Sequence, residues 1–295
     1  MSETETTLGF IGLGVMGSGM CGNVVKKHPA PVWAFDLDAG ALQEQVGAGA
    51  NKAESVAQLA ANAGIIFLSL PGGKQVAAVC EEIAANAKPG TVVVDLSTTS
   101  VAEARSVAAM LAEKDMLFAD APVARTRQAA IDGTLSIMVG AGEALFARIG
   151  PLLSYMGSDV THCGEVGCGQ VVKLINNTLN FVHVLILAEM MVTGERAGVE
   201  PATLLEAVSK GSGDSFILRN HGMKAMVPRD FPEKSFPPEY VLKDIGYSIE
   251  LAKSMNVDPQ VTELARKYYQ AAVDNGLGGR YFPAVIELID KGVTP

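Results

Sequence analysis

Residues 8–20, LGFIGLGVMGSGM, carry the strongest structural signal in this chain of 295 residues. An apolar run of strand length passes directly into the spacing Gly-x-Gly-x-x-Gly, and a helical pattern opens behind it. In such a strand–turn–helix unit the first glycine permits a tight turn, the second lets the backbone approach a pyrophosphate, and the third lets helix and strand pack closely. We therefore predict that the phosphates of a dinucleotide bind at this helix N-terminus, against Gly12, Leu13, Gly14, Val15, Met16 and Gly17.

An acidic residue follows at the distance that such a site requires. Asp36 ends the apolar run Val32–Asp36 and lies 19 residues after Gly17, close to the ~20 residues typical of the acid that binds the ribose hydroxyls. A carboxylate there would repel a 2′-phosphate, and the next residue is Leu37, where an enzyme specific for NADP often has an arginine. The predicted cofactor is therefore NAD rather than NADP.

The rest of the first half repeats this alternation of strand and helix. Near-continuous apolar runs alternate with alanine-rich stretches of helical spacing, a pattern typical of a parallel sheet covered by helices. The strand-like runs are Leu8–Gly12, Val32–Asp36, Ile65–Leu70, Thr91–Leu96, Leu117–Ala119 and Leu135–Val139, and the helical stretches include Glu54–Ala63, Lys74–Ala87 and Ala102–Lys114. We predict an α/β, doubly wound Rossmann domain over residues 1–165.

The pattern changes to helix alone after residue 165. A proline-free helical stretch runs from Gly169 to about Ala197, and three later segments are helical as well, Ala202–Lys210, Val241–Met255 and Pro259–Asp274. We predict that residues 166–295 form an all-α domain that contributes to substrate binding and oligomerisation, with residues 169–197 as the connecting helix.

Charge and cysteine content narrow the classes of function. Lys and Arg number 23 against 32 Asp and Glu, a net charge of −9, which disfavours nucleic acids and anionic membrane surfaces as partners. Four cysteines in a chain of this size are typical of a reduced cytosolic protein. His162, Cys163 and Cys168 match no standard zinc spacing, so no metal site is predicted.

We also expect neither a membrane-spanning helix nor a signal peptide. The stretch Val182–Val192 is interrupted by His183 and Glu189, so we expect no membrane-spanning helix. Residues Met1–Thr7 are acidic and polar, unlike the basic start of a signal peptide. The predicted localisation is cytoplasmic.

Several blocks of the chain, taken in order from Gly9 to about Gly279, resemble the β-hydroxyacid dehydrogenase family, which includes 3-hydroxyisobutyrate dehydrogenase. They are FIGLGVMGSGM (Phe10–Met20), LPGGKQV (Leu70–Val76), DLSTTS (Asp95–Ser100), DAPV with GTLSIMVG (Asp120–Val123, Gly133–Gly140), GCGQVVKLINN (Gly167–Asn177) and LKDIG (Leu242–Gly246). The resemblance implies an enzyme that transfers a hydride between NAD and a short 3-hydroxy acid or its semialdehyde, in a homodimer or homotetramer.

The resemblance also implies roles for single residues. It makes Lys173 the catalytic acid and base, and Ser97, Thr126, Asn176 and Asn177 substrate-binding residues. It implies that Leu70, Pro71 and Thr98 contact the cofactor and that Lys243 closes over it, although a surface ion pair between Lys243 and Asp244 is the alternative.

The residues themselves support a polar role for this helix. Lys173 and Asn177 are four residues apart and so share one helix face, and Asn180 continues that stripe. An ammonium near the reacting carbonyl would stabilise the developing alkoxide and donate its proton. For the reverse reaction we expect burial and Arg125 to hold the pKa of Lys173 below its free value of about 10.4.

The substrate loop departs from the common family pattern. After DAPV the family usually continues Ser-Gly-Gly, whose amides hold a carboxylate, whereas this chain continues Ala124-Arg125-Thr126-Arg127. A branch similar to sulfolactaldehyde reductase has a Gly-Arg-Thr loop. A guanidinium suits either a carboxylate or a sulfonate, so we predict that Arg125 clamps the anionic end of the substrate. The alternatives are that Arg125 faces solvent or pairs with Asp120 or Asp132, and we expect Arg127 to lie at the surface.

Three functions therefore remain open. The first is an NAD-dependent dehydrogenase of a short anionic 3-hydroxy acid, and the second is a reductase of a three-carbon sulfonate such as sulfolactaldehyde. The third, from another class, is a catalytically silent nucleotide-binding module used for protein interaction. Such a module could lose Lys173 without penalty, whereas here the lysine and both asparagines are present.

Overall fold

A computed structural model describes residues 5–233 and 235–294. The start of the Met1–Thr7 segment, residues 1–4, lies outside the described residues. The described part contains a mainly parallel sheet flanked by helices, followed by a helical region, which confirms the predicted α/β class with an all-α second half. The strands are β1 Leu8–Ile11, β2 Val32–Phe35, β3 Asn51–Lys52, β4 Ile65–Leu68, β5 Val92–Asp95, β6 Leu117–Asp120, β7 Val123–Ala124, β8 Leu135–Gly140 and β9 Gly157–Gly164.

The order of the strands creates a crevice at the carboxyl edge of the sheet. Within the described residues, the order is β3-β2-β1-β4-β5-β6-β8-β7, with β9 paired to β8. The chain leaves β1 in one direction and returns to the other side of it at β4, and both pairings are parallel. Because ligands of such sheets bind where the strand order reverses, the loops after β1 and β4 are placed to bind one.

Helices cover both faces of this sheet. They are α1 Gly17–Lys27, α2 Ala39–Gly47, α3 Val56–Asn62, α4 Gly73–Asn86, α5 Val101–Ala112, α6 Arg127–Asp132 and α7 Glu143–Leu153. Strands β1, β4 and β5 are buried along their whole length. This explains why their sequences are continuously apolar rather than alternating.

Several elements were not predicted from the sequence, each for a local reason. Strands β3 and β7 have two residues each, and β9, GSDVTHCG, is a strand of mostly exposed or half-buried residues without an apolar run. Helix α7 contains Pro151 in its last turn, which breaks the helical pattern. Helix α2 begins after Asp38, whose side chain accepts hydrogen bonds from the amides of Gly40 and Ala41.

The second half is helical, as predicted. Its elements are α8 Cys168–Arg196, α9 Pro201–Val208, α10 Pro238–Ser254, α11 Gln260–Ala272 and α12 Val285–Asp290, with π-helical segments at Leu218–Met226 and Val273–Leu277. By spatial clustering the chain forms two compact units that meet in sequence at Lys173 and Leu174, within α8. The predicted domain boundary at residue 165 stays a prediction.

Helix α8 is long and apolar enough, by length and composition alone, to cross a membrane, with a mean hydropathy of 1.5. Length and composition alone do not show a membrane span, so the expectation of no membrane-spanning helix stays a prediction. Its buried side chains Phe181, Val184, Ala188 and Met191 belong to the hydrophobic core of the helical unit. A helix that contributes side chains to a protein core is apolar over much of its circumference. This role in the core accounts for the apolar composition of α8.

Candidate active site

The glycine-rich loop has the geometry that a pyrophosphate needs. Gly12 has φ +94°, and a Cβ there would lie 2.2 Å from the carbonyl oxygen of Ser69. A Cβ on Gly17 would lie 2.0 Å from the carbonyl oxygen of Gly12, whereas one on Gly14 would meet nothing within 4 Å. Gly12 and Gly17 are thus required for the turn and the packing, while Gly14 leaves open space above the N-terminus of α1, which fits a dinucleotide phosphate.

Asp36 lies beside this loop, directly after β2. One carboxylate oxygen accepts from the amide of Leu13 at 2.5 Å, and the other accepts from the amide of Asp38 at 2.7 Å. A carboxylate has about four acceptor positions, so two remain for the hydroxyls of a ribose. The next side chain, Leu37, is 94% exposed and contributes no positive charge.

The loops after β4 and β5 are joined by direct hydrogen bonds. The amide of Leu70 donates to Ser97 Oγ at 2.9 Å, and the amide of Ser97 donates to Asp95 Oδ1 at 3.0 Å. Ser97 is buried, and accepting the bond from Leu70 leaves its own O–H as a donor. Of the other residues predicted here, Thr98 is half-buried and Pro71 is exposed.

Gln170, in the first turn of α8, attaches the predicted catalytic helix to this loop. Its side-chain amide donates to the carbonyl oxygen of Ser97 at 2.8 Å and accepts from the amide of Thr99 at 3.2 Å. Gln170 is completely buried and lies one turn before Lys173. Sequence reasoning did not single it out, because a glutamine near a helix start has no distinctive signal.

Asp120, at the end of β6, caps the N-terminus of α8. Its two oxygens accept from the amides of Gly167 at 2.6 Å and Gln170 at 2.8 Å. A carboxylate is stabilising at a helix N-terminus, where amides lack partners. Burial nevertheless raises its pKa to about 6, against the lowering effect of those two hydrogen bonds.

This raised pKa predicts a pH dependence of stability. The folded state binds the Asp120 proton more tightly than the unfolded state, so this contribution is full below about pH 4 and is lost as pH rises through about 6. In Asp120→Asn this contribution is absent. The Nδ2 group of the asparagine would also replace one carboxylate oxygen, so one of the two amides that donate to Asp120 would lose its acceptor. We therefore expect the stability advantage of the wild type over D120N, measured by thermal unfolding, to shrink by up to about 3 kcal/mol between these pH values. A difference in stability that is independent of pH would contradict the assignment.

Lys173 and Asn177 are both buried, and they lie one turn apart on α8, as predicted. Asn177 donates through Nδ2 to Asp244 Oδ2, on α10, at 2.7 Å. This bond fixes the amide plane of Asn177, with its oxygen accepting from Asn176 Nδ2 at 3.2 Å. Asn176 itself is exposed. Asp244 was considered in the sequence only as a partner of Lys243, although it also orients Asn177.

Lys243 is neither fully exposed nor isolated. Its side chain is 27% exposed, and Nζ lies 3.4 Å from Asp244 Oδ1. The same Nζ lies 6.0 Å from the ring centroid of Tyr240 and 5.8 Å from that of Tyr247. Asp244 is buried, so this is a half-buried ion pair rather than the surface pair considered as the alternative. The predicted contact of Lys243 with the cofactor stays a prediction.

The substrate loop has an arginine in an unusual backbone conformation. Arg125 has φ +91°, a region that L-residues other than glycine rarely adopt. Its guanidinium pairs with Asp159 at 2.7 Å, not with Asp120 or Asp132. The next residue, Thr126, accepts from the amide of Ala129 at 3.3 Å and so caps α6.

Arg127 borders a cavity next to the glycine-rich loop. The cavity measures about 280 Å³ and is lined by Leu13, Gly14, Val15, Ser18, Gly19, Glu44, Arg127 and Ile131. The sequence suggested only a surface position for Arg127. Its side chain is exposed, but it also brings a positive charge to the loop where the phosphates are predicted to bind.

Family models match nearly the whole chain. Residues 7–164 match the model described as the NAD binding domain of 6-phosphogluconate dehydrogenase. Residues 167–289 match the model described as NAD-binding of NADP-dependent 3-hydroxyisobutyrate dehydrogenase.

Individual relatives match over almost their full length. The chain is 37% identical to 2-(hydroxymethyl)glutarate dehydrogenase of Eubacterium barkeri, over 98% of this chain and 96% of that protein. It is 31% identical to the NAD-dependent L-serine dehydrogenase of Pseudomonas aeruginosa, over 96% and 97% respectively. The solved structure of Mycobacterium tuberculosis 3-hydroxyisobutyrate dehydrogenase with L-serine has a TM-score of 0.88 at 28% identity, and covers 97% of this chain and 99% of that one.

Proposed function

The chain belongs to the β-hydroxyacid dehydrogenase family, and on that basis we propose that it interconverts a short anionic 3-hydroxy acid and its semialdehyde with NAD. The observation that carries the proposal is the setting of Lys173. This lysine is buried, lies one turn beyond the glutamine that binds the Ser97 loop, and precedes by one turn the oriented amide of Asn177.

The proposed mechanism assigns the proton to Lys173. When bound, the nicotinamide supplies the hydride for reduction or accepts it in oxidation. The Lys173 ammonium donates a hydrogen bond to the carbonyl oxygen, stabilises its developing negative charge and transfers the proton to it. In the oxidative direction, neutral Lys173 takes the proton from the hydroxyl. Ser97 donates a second hydrogen bond to the substrate, and Asn177 orients it.

NAD is the proposed cofactor within a family that uses NAD(P). Asp36 has two acceptor positions left for ribose hydroxyls, and its charge opposes a 2′-phosphate. The exposed side chain after it, Leu37, offers no cation to offset that repulsion. Together, the acceptor positions and negative charge of Asp36 and the uncharged side chain of Leu37 favour NAD over NADP.

The substrates named for the relatives favour a carboxylate substrate. 2-(Hydroxymethyl)glutarate, L-serine and 3-hydroxyisobutyrate each have a hydroxymethyl group on the carbon that bears a carboxylate. A substrate with this unit presents its alcohol carbon one bond away from the carbon bearing the anionic group. The sulfonate alternative rests on the Ala-Arg-Thr loop alone.

A substrate panel tests this proposal. Initial rates of reduction would be compared for succinic semialdehyde, tartronate semialdehyde and sulfolactaldehyde, each with NADH and with NADPH. Oxidation of 3-hydroxyisobutyrate, 2-(hydroxymethyl)glutarate and L-serine with NAD would be compared in parallel. We expect a carboxylate to give the highest kcat/KM. A preference for sulfolactaldehyde would favour the sulfonate reductase, and no turnover of any compound would favour the silent module.

A homodimer or homotetramer is the second part of the proposal. Val172, Ile175, Leu179, Ile186 and Met190 on α8 are each at least 40% exposed. Their spacing of three, four, seven and four residues places them along one side of the helix. An apolar stripe of this length favours burial against a second copy of the chain, which the molar mass in solution would test.

A further inference from the structure

Gln170 is a completely buried polar side chain to which the proposed mechanism assigns no step. Its Nε2 donates to the carbonyl oxygen of Ser97 at 2.8 Å, and its Oε1 accepts from the amide of Thr99 at 3.2 Å. Ser97 and Thr99 are also buried, so the two hydrogen bonds are shielded from water. Gln170 therefore binds the loop on both sides of Thr98, the residue predicted to contact the cofactor.

The two hydrogen bonds need one donor and one acceptor on the same side chain. The Ser97 carbonyl only accepts and the Thr99 amide only donates, a pair that a carboxamide satisfies in a single orientation. An ionised carboxylate offers acceptors only, and an aliphatic side chain offers neither. Gln170 is therefore matched to the loop by the polarity of its amide.

The helix start around Gln170 is held independently of this side chain. Asp120 accepts from the backbone amide of Gln170 at 2.8 Å and from that of Gly167 at 2.6 Å. A Cβ on Gly169 would lie 2.4 Å from the carbonyl oxygen of Met138, so the first turn of α8 packs directly on the backbone of β8. Loss of the Gln170 side chain would therefore release the loop while the helix start keeps its cap.

Lys173 follows three residues after Gln170 on α8, and it is buried as well. Residues three apart are neighbours on one side of a helix, about 4.5 Å apart along its axis. The side of α8 that binds the Ser97 loop is thus also the side from which Lys173 extends.

We propose that Gln170 is a positioning residue that holds the loop of Ser97 and Thr98 against the helix bearing Lys173. The hydroxyl proposed to bind the substrate and the amine proposed to transfer the proton then keep one fixed arrangement. Because Gln170 is completely buried, it acts through these residues and not by touching the substrate. This inference rests on the proposed function, since it concerns how the same enzyme aligns its reacting groups.

A role in stability alone gives a different result. Removing the amide leaves the Ser97 carbonyl and the Thr99 amide buried without these hydrogen bonds, which destabilises the fold. A residue that only stabilises the fold changes the folded fraction, and each folded molecule keeps the turnover of the wild type. A positioning residue changes the turnover of the folded molecules, because a misplacement of about 1 Å can cost on the order of 100-fold in rate.

The first test is Gln170→Ala in the full chain, with NADH and the aldehyde of the panel that the wild type reduces fastest. We expect kcat per folded enzyme to fall about 10- to 100-fold, while KM and the Kd for NADH change less than about 3-fold. Titration of NADH sites counts the folded enzyme. Ile83→Ala, a fully buried residue in the last turn of α4, is the matched control. It should lower the melting temperature but leave kcat per folded enzyme unchanged.

The second test, Gln170→Glu, depends on the polarity of the two hydrogen bonds. An ionised carboxylate turns a second acceptor toward the Ser97 carbonyl, whereas a protonated carboxyl donates to it and still accepts from Thr99. Burial beside Asp120 should raise the pKa of the introduced carboxyl. We therefore expect kcat of Q170E to lie within about 3-fold of the wild type at about pH 6 and to fall to the level of Q170A at about pH 9.

The charged groups around Gln170 are the same in all the proteins compared. Asp95 and Asp120 end the neighbouring strands β5 and β6, Arg105 lies on α5, and Lys173 lies one turn further along α8. Their titration is removed from the comparison when each rate is divided by the rate of the wild type at the same pH. What remains reports the carboxyl at position 170.

Each outcome of these tests decides for or against the positioning role. If Q170A does not fold, Q170E prepared at about pH 6 replaces it, and a loss of kcat on raising the pH with NADH sites retained supports the role. Wild-type kcat per folded enzyme in Q170A, or a Q170E whose rate relative to the wild type is independent of pH, would overturn it while leaving the proposed function intact. If the wild type reduces no aldehyde of the panel, the proposed function fails and this inference fails with it.

Discussion

Replacing Lys173 by alanine is expected to lower kcat about a thousandfold in both directions of the reaction. The side chain is buried on α8, and in the proposed mechanism it is the group that transfers the proton and stabilises charge on the oxygen. Binding of NADH, followed by its fluorescence, should be unchanged, because the residues proposed to hold the cofactor are the glycine-rich loop and Asp36 rather than Lys173. Lys267→Ala, an exposed lysine on α11, is the matched control and should retain full activity.

Two further measurements separate proton transfer from charge alone. Lys173→Arg keeps a positive charge but has a pKa too high to release a proton, so we expect it to remain nearly as inactive as K173A. Added methylamine should partly restore kcat of K173A, since it supplies the missing acid and base. If K173A retained wild-type turnover, the assignment of the catalytic residue would be wrong.

Exchanging the residues after β2 should reverse the choice of cofactor. The wild type is expected to prefer NAD over NADP by on the order of 100-fold in kcat/KM, because Asp36 is proposed to bind the ribose hydroxyls and its charge would repel a 2′-phosphate. Asp36→Ala with Leu37→Arg removes both effects and adds a cation, so we expect the ratio to change by about a thousandfold in favour of NADP. Leu37 is 94% exposed, so the arginine can be accommodated without repacking the core.

The single variants provide the controls for this exchange. Leu37→Arg alone should improve NADP only modestly, because the Asp36 charge remains. Asp36→Ala alone should weaken NAD and also loosen the turn, since Asp36 accepts from the amides of Leu13 and Asp38. Thermal unfolding of each variant separates those two effects. A wild type that used NADP equally well would contradict the role of Asp36.

The sheet core could be predicted from local pattern alone. Strands β1, β2, β4, β5, β6 and β8 all lie within one or two residues of the apolar runs identified in the sequence. The signal is strongest for β1, β4 and β5, because strands buried on both faces must be apolar throughout. Helices α3, α4, α5 and α8 were predicted from a different signal, the helical spacing of their apolar residues. The edge strand β9 was missed because an exposed strand has no need of an apolar run.

The identity of the candidate site residues came from motifs, but their partners did not. Asp120 accepts from amides 47 and 50 residues away, and Asn177 donates to a carboxylate 67 residues away. The pairing of Arg125 with Asp159 spans 34 residues. Three roles were considered for Arg125 from the sequence: binding the substrate, facing solvent, and pairing with Asp120 or Asp132. The observed partner, Asp159, was not considered, because it lies on β9, a strand that was not predicted.

Local sequence thus sufficed for the glycine turn, the position of the acid after β2, the succession of strands and helices, and the lysine with its asparagine one turn away. Each depends on a backbone conformation or a repeat set within about twenty residues. The capping of α8 by Asp120, the orientation of Asn177 by Asp244 and the anchoring of Arg125 were decided only by the tertiary structure. These contacts join segments that meet after the chain has reversed direction several times, and no spacing along the sequence encodes which carboxylate will then face which donor.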